Sequence, residues 1–228
     1  MTHSIKNVIV IGATGLVGLS LVKQLQNLNE CEKITVVVRK QSSVFSSFNK
    51  VEQFILSDFL LLNDQDVSGF SHAFSCLGTT IKKAGSKQAF YNIDFEINAH
   101  FADLFEMTET HLILVSAMGA NAESSIFYNK VKGQLEHYIE KLDLYRTSII
   151  RPSLLLGERD EQRFLEDVTQ KLYRKFSHFV PNSFKYKPVT ADQVAHTMVE
   201  AGQTQTQTQK FEIYDNLHIQ NLSIQHAK

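Results

Sequence analysis

The segment VIVIGATGLVGLSLVKQL, from Val8 to Leu25, passes from a β-branched apolar run into an amphipathic one through three glycines set three residues apart. Two readings compete for it: the floor of a nucleotide site, or a plain tight turn between a strand and a helix. In the first, each glycine has its own task. Gly12 lets the chain turn sharply, Gly15 lets backbone approach a pyrophosphate, and Gly18 lets the helix lie close to the sheet. The backbone N–H groups around Thr14, Gly15, Leu16 and Val17 then face the diphosphate, with the positive end of the helix dipole behind them. The spacing Gly-x-x-Gly-x-x-Gly differs from the commoner Gly-x-Gly-x-x-Gly, so the decision falls to what the rest of the chain sets beside the turn.

Outward from this junction, short β-branched runs alternate with helix-length segments. Residues 6–11, 33–38, 51–56, 72–77, 111–116 and 145–150 read as strands, and 15–28, 86–107 and 125–142 as helices. The strand runs are nearly continuous in apolar residues, as in strands covered on both faces. The pattern predicts an α/β fold, a doubly wound parallel sheet of the Rossmann type. After Ile150 it changes. A loop and helix, a loop with two prolines, and a second helix with Asp192 near its start precede a late strand at 210–215. The stretch QTQTQTQ at 203–209 reads as a solvated connector. With no linker long enough to divide it, the chain of residues 1–228 is expected to form one domain, a dinucleotide-binding core at 1–150 and a small cap with the last strand at 151–228.

Composition narrows the function. The 228 residues suffice for one complete core, and a net charge of −1 gives no footprint for nucleic acid or an anionic membrane. No apolar stretch reaches the roughly 18 residues of a membrane span. The run after Lys6 is broken by glycines and lacks a cleavage-like ending, so it is not read as a signal peptide. Two cysteines, Cys31 and Cys76, are too few for a disulfide framework and suit a reducing cytoplasm. The nine histidines are scattered without metal-ligand spacing, so no structural metal is expected.

About 20 residues beyond the glycines, at the end of the second strand, NAD enzymes place a carboxylate for the ribose 2′-hydroxyl. This chain has Arg39 and Lys40 there. A carboxylate would repel a 2′-phosphate, whereas a guanidinium grips one in bidentate fashion. Such a contact is worth roughly 1.5 to 3 kcal/mol, and it predicts NADPH over NADH. A solvated basic strand end is the plainer alternative.

In YNKVKG, Tyr128 and Lys132 stand four apart and share one helical face. Ser116 lies twelve residues before Tyr128, at the carboxyl end of a strand, where open α/β sheets hold their ligands. In order along the chain, IGATGLVG, VVVRK, LSDF, CLGTT, VSAMGA, YNKVKG and RPSLLLG resemble the motifs of short-chain dehydrogenase/reductases, in their atypical, NADP-binding branch. The likeness runs through nearly the whole chain and is strongest from Lys6 to Gly157.

The resemblance implies catalytic roles for Ser116, Tyr128 and Lys132, with Tyr128 passing a proton to or from a carbonyl or alcohol oxygen. The physics suits the set. A free phenol has a pKa of about 10, and one ammonium at about 4 Å supplies roughly the 4 kcal/mol needed to bring it near neutrality. Ser116 would orient the substrate oxygen. The resemblance also puts Asp58 and Phe59 at the adenine, Leu77, Gly78 and Thr79 over the cofactor, and Arg151 and Pro152 beside the nicotinamide. Each has a plainer reading: Asp58 as a helix cap, Gly78 as a turn, Pro152 as a strand stop. Cys76 reads as a small core residue.

Two departures remain. Short-chain enzymes use an asparagine on the fourth helix, and neither Asn92 nor Asn98 aligns with it unambiguously. Arg159 and Arg163 either bind an acidic substrate or lie on a solvated face with Glu158, Asp160 and Glu161. The leading expectation is an NADPH-dependent oxidoreductase acting on a small carbonyl or alcohol. The alternative is an NADP(H)-binding regulator that reports to a protein partner, and an epimerase or dehydratase ranks third, the roughly 75 residues after Ile150 being few for a sugar-nucleotide domain. Substrate identity and oligomeric state stay open.

Overall fold

Strand Asn7–Ile11 (β1) explains why the apolar runs do not alternate. Val8 and Val10 pack into one hydrophobic cluster, and Ile9 and Ile11 into another on the opposite face. The split recurs in Lys33–Val38 (β2), His72–Ser75 (β4), His111–Val115 (β5) and Arg146–Ile150 (β6), with Val36, Phe74, Ile113 and Ile150 in the first cluster and Val37, Ala73, Leu112 and Ile149 in the second. Both faces are core, so polar alternation would bury unpaired groups. The structure is a computed structural model describing residues 4–156, 186–204 and 210–225.

The helices in chain order are Leu16–Asn27 (α1), Ile81–Ala84 (α2), Lys87–Tyr91 (α3), Ile97–Asp103 (α4), Phe127–Glu140 (α5), Ala191–Gln203 (α6) and Asn216–Gln225 (α7). Helices α1 and α6 cover the first face through Leu21, Leu25, Val194 and Met198. The second lies under α4 and α5 through Phe101, Ala102, Leu135 and Ile139. Adding Val51–Ile55 (β3) and Phe211–Tyr214 (β9) gives a seven-stranded sheet in the order β3-β2-β1-β4-β5-β6-β9, with every pair parallel. Leu155–Leu156 (β7) and Val189–Thr190 (β8) form a separate short parallel pair. The chain winds outward from β1 to β3 and returns to β4 on the other side of β1. That reversal makes the crevice at the carboxyl ends of β1 and β4 the place where a doubly wound sheet takes its ligand.

Among the described residues the expected elements are present, with two differences that shape this crevice. The fourth strand ends at Ser75 rather than residue 77, because Cys76 and Leu77 run across the glycine turn. The helix expected over 86–107 is three pieces: α3, the π turn Asn92–Glu96, and α4, which stops at Asp103. In the cap, α6 is capped by Thr190 and Gln193 in a reciprocal capping box. Asp192 lies in its first turn, near the start as expected, and accepts from the Ser20 hydroxyl of α1. The first cap helix, with Arg159 and Arg163, and connector residues 205–209 lie outside the described residues.

Candidate nucleotide and catalytic site

The glycine turn is built as its spacing implies. Gly12 sits at φ +74°, and a Cβ there would stand 2.5 Å from the backbone of Cys76 and Leu77. Only glycine meets both conditions. Gly18 is pressed against the turn itself, since its Cβ would lie 2.7 Å from Ala13 Cα. Gly15 borders only the Gly12 carbonyl, whose oxygen accepts its N–H at 3.0 Å. Thr14, Gly15 and Leu16 are exposed, whereas Val17 and Gly18 are buried under the helix. Gly15 is the residue before α1 and provides no side-chain cap, so first-turn N–H groups are left for solvent or a ligand.

Beside this turn opens a cavity of about 620 Å³. Of the expected cofactor residues it brings together Gly12, Thr14, Arg39, Lys40, Phe59 and Leu77, and it adds Gln41 and Ser42. The loop after β2 is held in place by Gln53 of β3, whose amide oxygen accepts from Ser42 N–H at 2.7 Å and whose NH2 donates to the Ser42 carbonyl at 3.1 Å. Arg39 and Lys40 are exposed at the mouth. Asp58 is not in the wall. It caps the 3-10 turn Phe59–Leu61, accepting from Leu60 N–H at 3.0 Å.

The remaining residues gather around the carboxyl ends of β4, β5 and β6. Tyr128 is half-buried against Phe90, with ring centroids 5.5 Å apart. Burial pushes its phenol above the ordinary value of 10 and Asp94 adds to the rise, while Lys132 pulls against it. Lys132 is itself buried, its Nζ 2.7 Å from Asp94 Oδ1. Burial pushes the Asp94 carboxyl up, against the pull of Lys132 and of the Thr79 N–H that reaches its other oxygen at 2.9 Å. Ser116 is buried, and its hydroxyl donates to Glu136. That carboxylate is also clamped by Arg151, whose Nε lies 3.1 Å from both oxygens. In this arrangement the Ser116 proton is committed, and the hydroxyl can accept but not donate at the substrate side. Pro152 is buried and its carbonyl accepts from Met118 N–H at 2.9 Å, which ties the loop after β5 to the end of β6.

Three contributors were not singled out from sequence. Glu136 extends the 128, 132 spacing by one more turn, a signal that was there to read. Gly133 lets the loop after β5 lie on α5: a Cβ there would come 2.4 Å from the Asn121 backbone nitrogen. Asp94 has no such signal, because the π turn shifts the register of its helix. As for the two asparagines, Asn92 is exposed with Gln88 donating to it at 2.8 Å. Asn98 is buried, accepting from the Ser75 hydroxyl and donating to the Ile93 carbonyl at 3.0 Å, so it braces the end of β4.

Comparison with known proteins agrees with this architecture. A family model described as semialdehyde dehydrogenase, NAD binding domain, matches residues 7–94. Protein FMP52-1, mitochondrial, of Scheffersomyces stipitis is 37% identical over 85% of this chain and 87% of its own. Protein FMP52, mitochondrial, of Candida albicans is 34% identical over 85% and 86%. Protein HTATIP2 of Rattus norvegicus is 33% identical over 78% and 73%. Among solved structures, UDP-glucuronic acid 4-epimerase from Bacillus cereus in complex with NAD aligns with a TM-score of 0.65 at 13% identity, over 92% of this chain and 77% of its own. An oxidoreductase of the short-chain dehydrogenase/reductase family from Burkholderia thailandensis aligns with a TM-score of 0.62 at 14% identity, over 98% and 97%. These two share the fold. The word mitochondrial in the names of the FMP52 relatives overturns the expectation of a cytoplasmic protein. Cysteine usage reads only the redox state of the surroundings, which more than one compartment shares. Among the described residues, no helix is long and apolar enough to cross a membrane.

Proposed function

Because the chain belongs to the atypical short-chain dehydrogenase/reductase family of the FMP52 and HTATIP2 proteins, we propose that it is an NADPH-dependent oxidoreductase of a small carbonyl or alcohol. The observation that carries the reading is the half-buried Tyr128 phenol one turn from the Lys132 ammonium, at the same sheet edge as the glycine turn. The fit of a dinucleotide is supported by the uncapped start of α1, the exposed backbone at Thr14, Gly15 and Leu16, and a cavity of about 620 Å³ beside them. Arg39 and Lys40 at its mouth support NADPH over NADH. The bound cofactor would supply or take the hydride. Tyr128 would supply or take the proton, Lys132 would hold the phenol's charge in check, and Arg151 with Glu136 would fix the floor. By the names of the FMP52 relatives, the proposed location is the mitochondrion.

The chain has no tryptophan, so tyrosine emission and the nicotinamide's own fluorescence report binding cleanly. NADPH is expected to bind at least tenfold more tightly than NADH, and a carbonyl screen should then yield turnover that Tyr128→Phe lowers by about 10²-fold or more. Unchanged turnover in that variant would remove Tyr128 from the chemistry. A second reading, an NADP(H)-binding regulator, is favoured by one observation: the Ser116 hydroxyl is spent on Glu136. NADPH binding without turnover across the screen is its signature.

A further inference from the structure

The trio leaves the buried charge of Asp94 without a role. Asp94 lies in the π turn Asn92–Glu96, and its side chain is fully shielded. Both oxygens are engaged: Oδ1 with Lys132 Nζ at 2.7 Å and Oδ2 with the Thr79 N–H at 2.9 Å. Gly78 belongs to the same contact, since a Cβ there would stand 3.2 Å from Asp94 Oδ1 and 3.5 Å from Lys132 Nζ. The ion pair therefore sits directly beneath the segment that leaves β4. Single π turns inside α-helices are frequent at functional sites, and this one aims a carboxylate at the site's lysine.

We propose that Asp94 is a fourth residue of the site, a positioning residue that fixes the Lys132 ammonium and offsets its charge, so that Tyr128 keeps its proton and stands ready to donate it to a carbonyl oxygen. The proposal presupposes the roles of Tyr128 and Lys132 given above. A buried ammonium needs a partner, and Asp94 provides it. Among the described residues, the charged groups acting on Tyr128 are Lys132 from its own helix and Asp94 from the π turn, while its ring neighbour Phe90 is apolar. Glu136, one turn further along α5, is closed off by Arg151. An isolated ammonium beside the phenol would draw it toward neutrality, but an ammonium with a carboxylate 2.7 Å away acts as a dipole whose field falls off faster. Burial is the largest cause of the upward shift of Tyr128, and Asp94 adds to it against the pull of Lys132.

The test is an ultraviolet difference titration of phenol ionisation on the whole chain without cofactor, with the Tyr128→Phe trace subtracted to isolate this residue. Asp94→Asn keeps the size and the Thr79 contact but drops the charge, and it should lower the Tyr128 midpoint by about one pH unit. The alkaline fall in carbonyl reduction should move to lower pH by the same amount. An unmoved midpoint in a folded Asp94→Asn chain overturns the proposal. If that variant does not fold, carboxyl carbon-13 NMR of Asp94 in the wild type and in Lys132→Met decides: the proposal requires the Asp94 titration to move upward when the ammonium is removed, and identical curves overturn it. The oxidoreductase reading fails by a separate sign, turnover surviving in Tyr128→Phe.

Discussion

Arg39 is the residue on which the proposed preference for NADPH rests. A charge-assisted bidentate contact to a 2′-phosphate is worth about 1.5 to 3 kcal/mol, so Arg39→Ala should weaken NADPH about 10- to 100-fold and NADH far less. Equal losses for both cofactors, read by fluorescence titration, would mean that Arg39 touches something they share. Glu136 makes a different kind of contribution. Its loss leaves Arg151 and Ser116 without their common acceptor, and since the Arg151 side chain is 28% exposed, Glu136→Gln should destabilise by about 1 to 2 kcal/mol in urea melts. These two residues also mark the limit of sequence reading. Arg39 was legible because a strand end, a glycine turn and a fixed separation point to it. Glu136 was legible only as a continuation of helical spacing, and its acceptor role needed Ser116 and Arg151 brought from two strands.

Elements were easier to foresee than their ends. A parallel sheet buried on both faces leaves an unmistakable apolar trace, so the strand runs were visible in β1, β2 and β5. What the trace does not carry is where a strand gives way to a loop that must cross another turn, as β4 does over Gly12, or where one extra residue enters a helix, as at Asn92–Glu96. The glycines separate these effects. Gly12 combines a positive φ with backbone 2.5 Å from a would-be Cβ, whereas Gly85 has φ +86° with nothing within 4 Å. Gly85→Ala should therefore cost about 1 kcal/mol, from conformation alone, and Gly12→Ala about 3 kcal/mol or more, with loss of NADPH binding. Similar urea midpoints for the two would show that the turn can yield without disturbing β4.

Across the whole molecule, burial of acidic hydrogens sets an alkaline limit. Burial pushes the Cys31 thiol from an ordinary value near 9 to about 11, and the Tyr214 phenol from 10 to about 12, with Glu212 adding to the latter. Both groups are neutral when protonated and hold their protons more tightly in the folded state. The unfolded chain then ionises first, so stability is intact below about pH 9 and falls as pH rises through about 11 and 12. The loss should approach about 2 kcal/mol for Cys31 and about 1 kcal/mol for the partly exposed Tyr214. Urea midpoints from pH 7 to 11 would check it, with Cys31→Ala flattening the first part of the decline.

The packing of α1 on α6 has a temporal meaning. Leu21, Val22 and Leu25 share their cluster with Val194, Ala195 and Met198, residues made some 170 positions later. Synthesis runs from the amino terminus, so the first βα unit, glycine turn included, leaves the ribosome long before its cover exists. Closing so long a loop is slow, and the uncovered apolar stripe meanwhile invites a chaperone or aggregation. The nucleotide floor is thus made long before the helix that covers it, and is among the last parts to be finished.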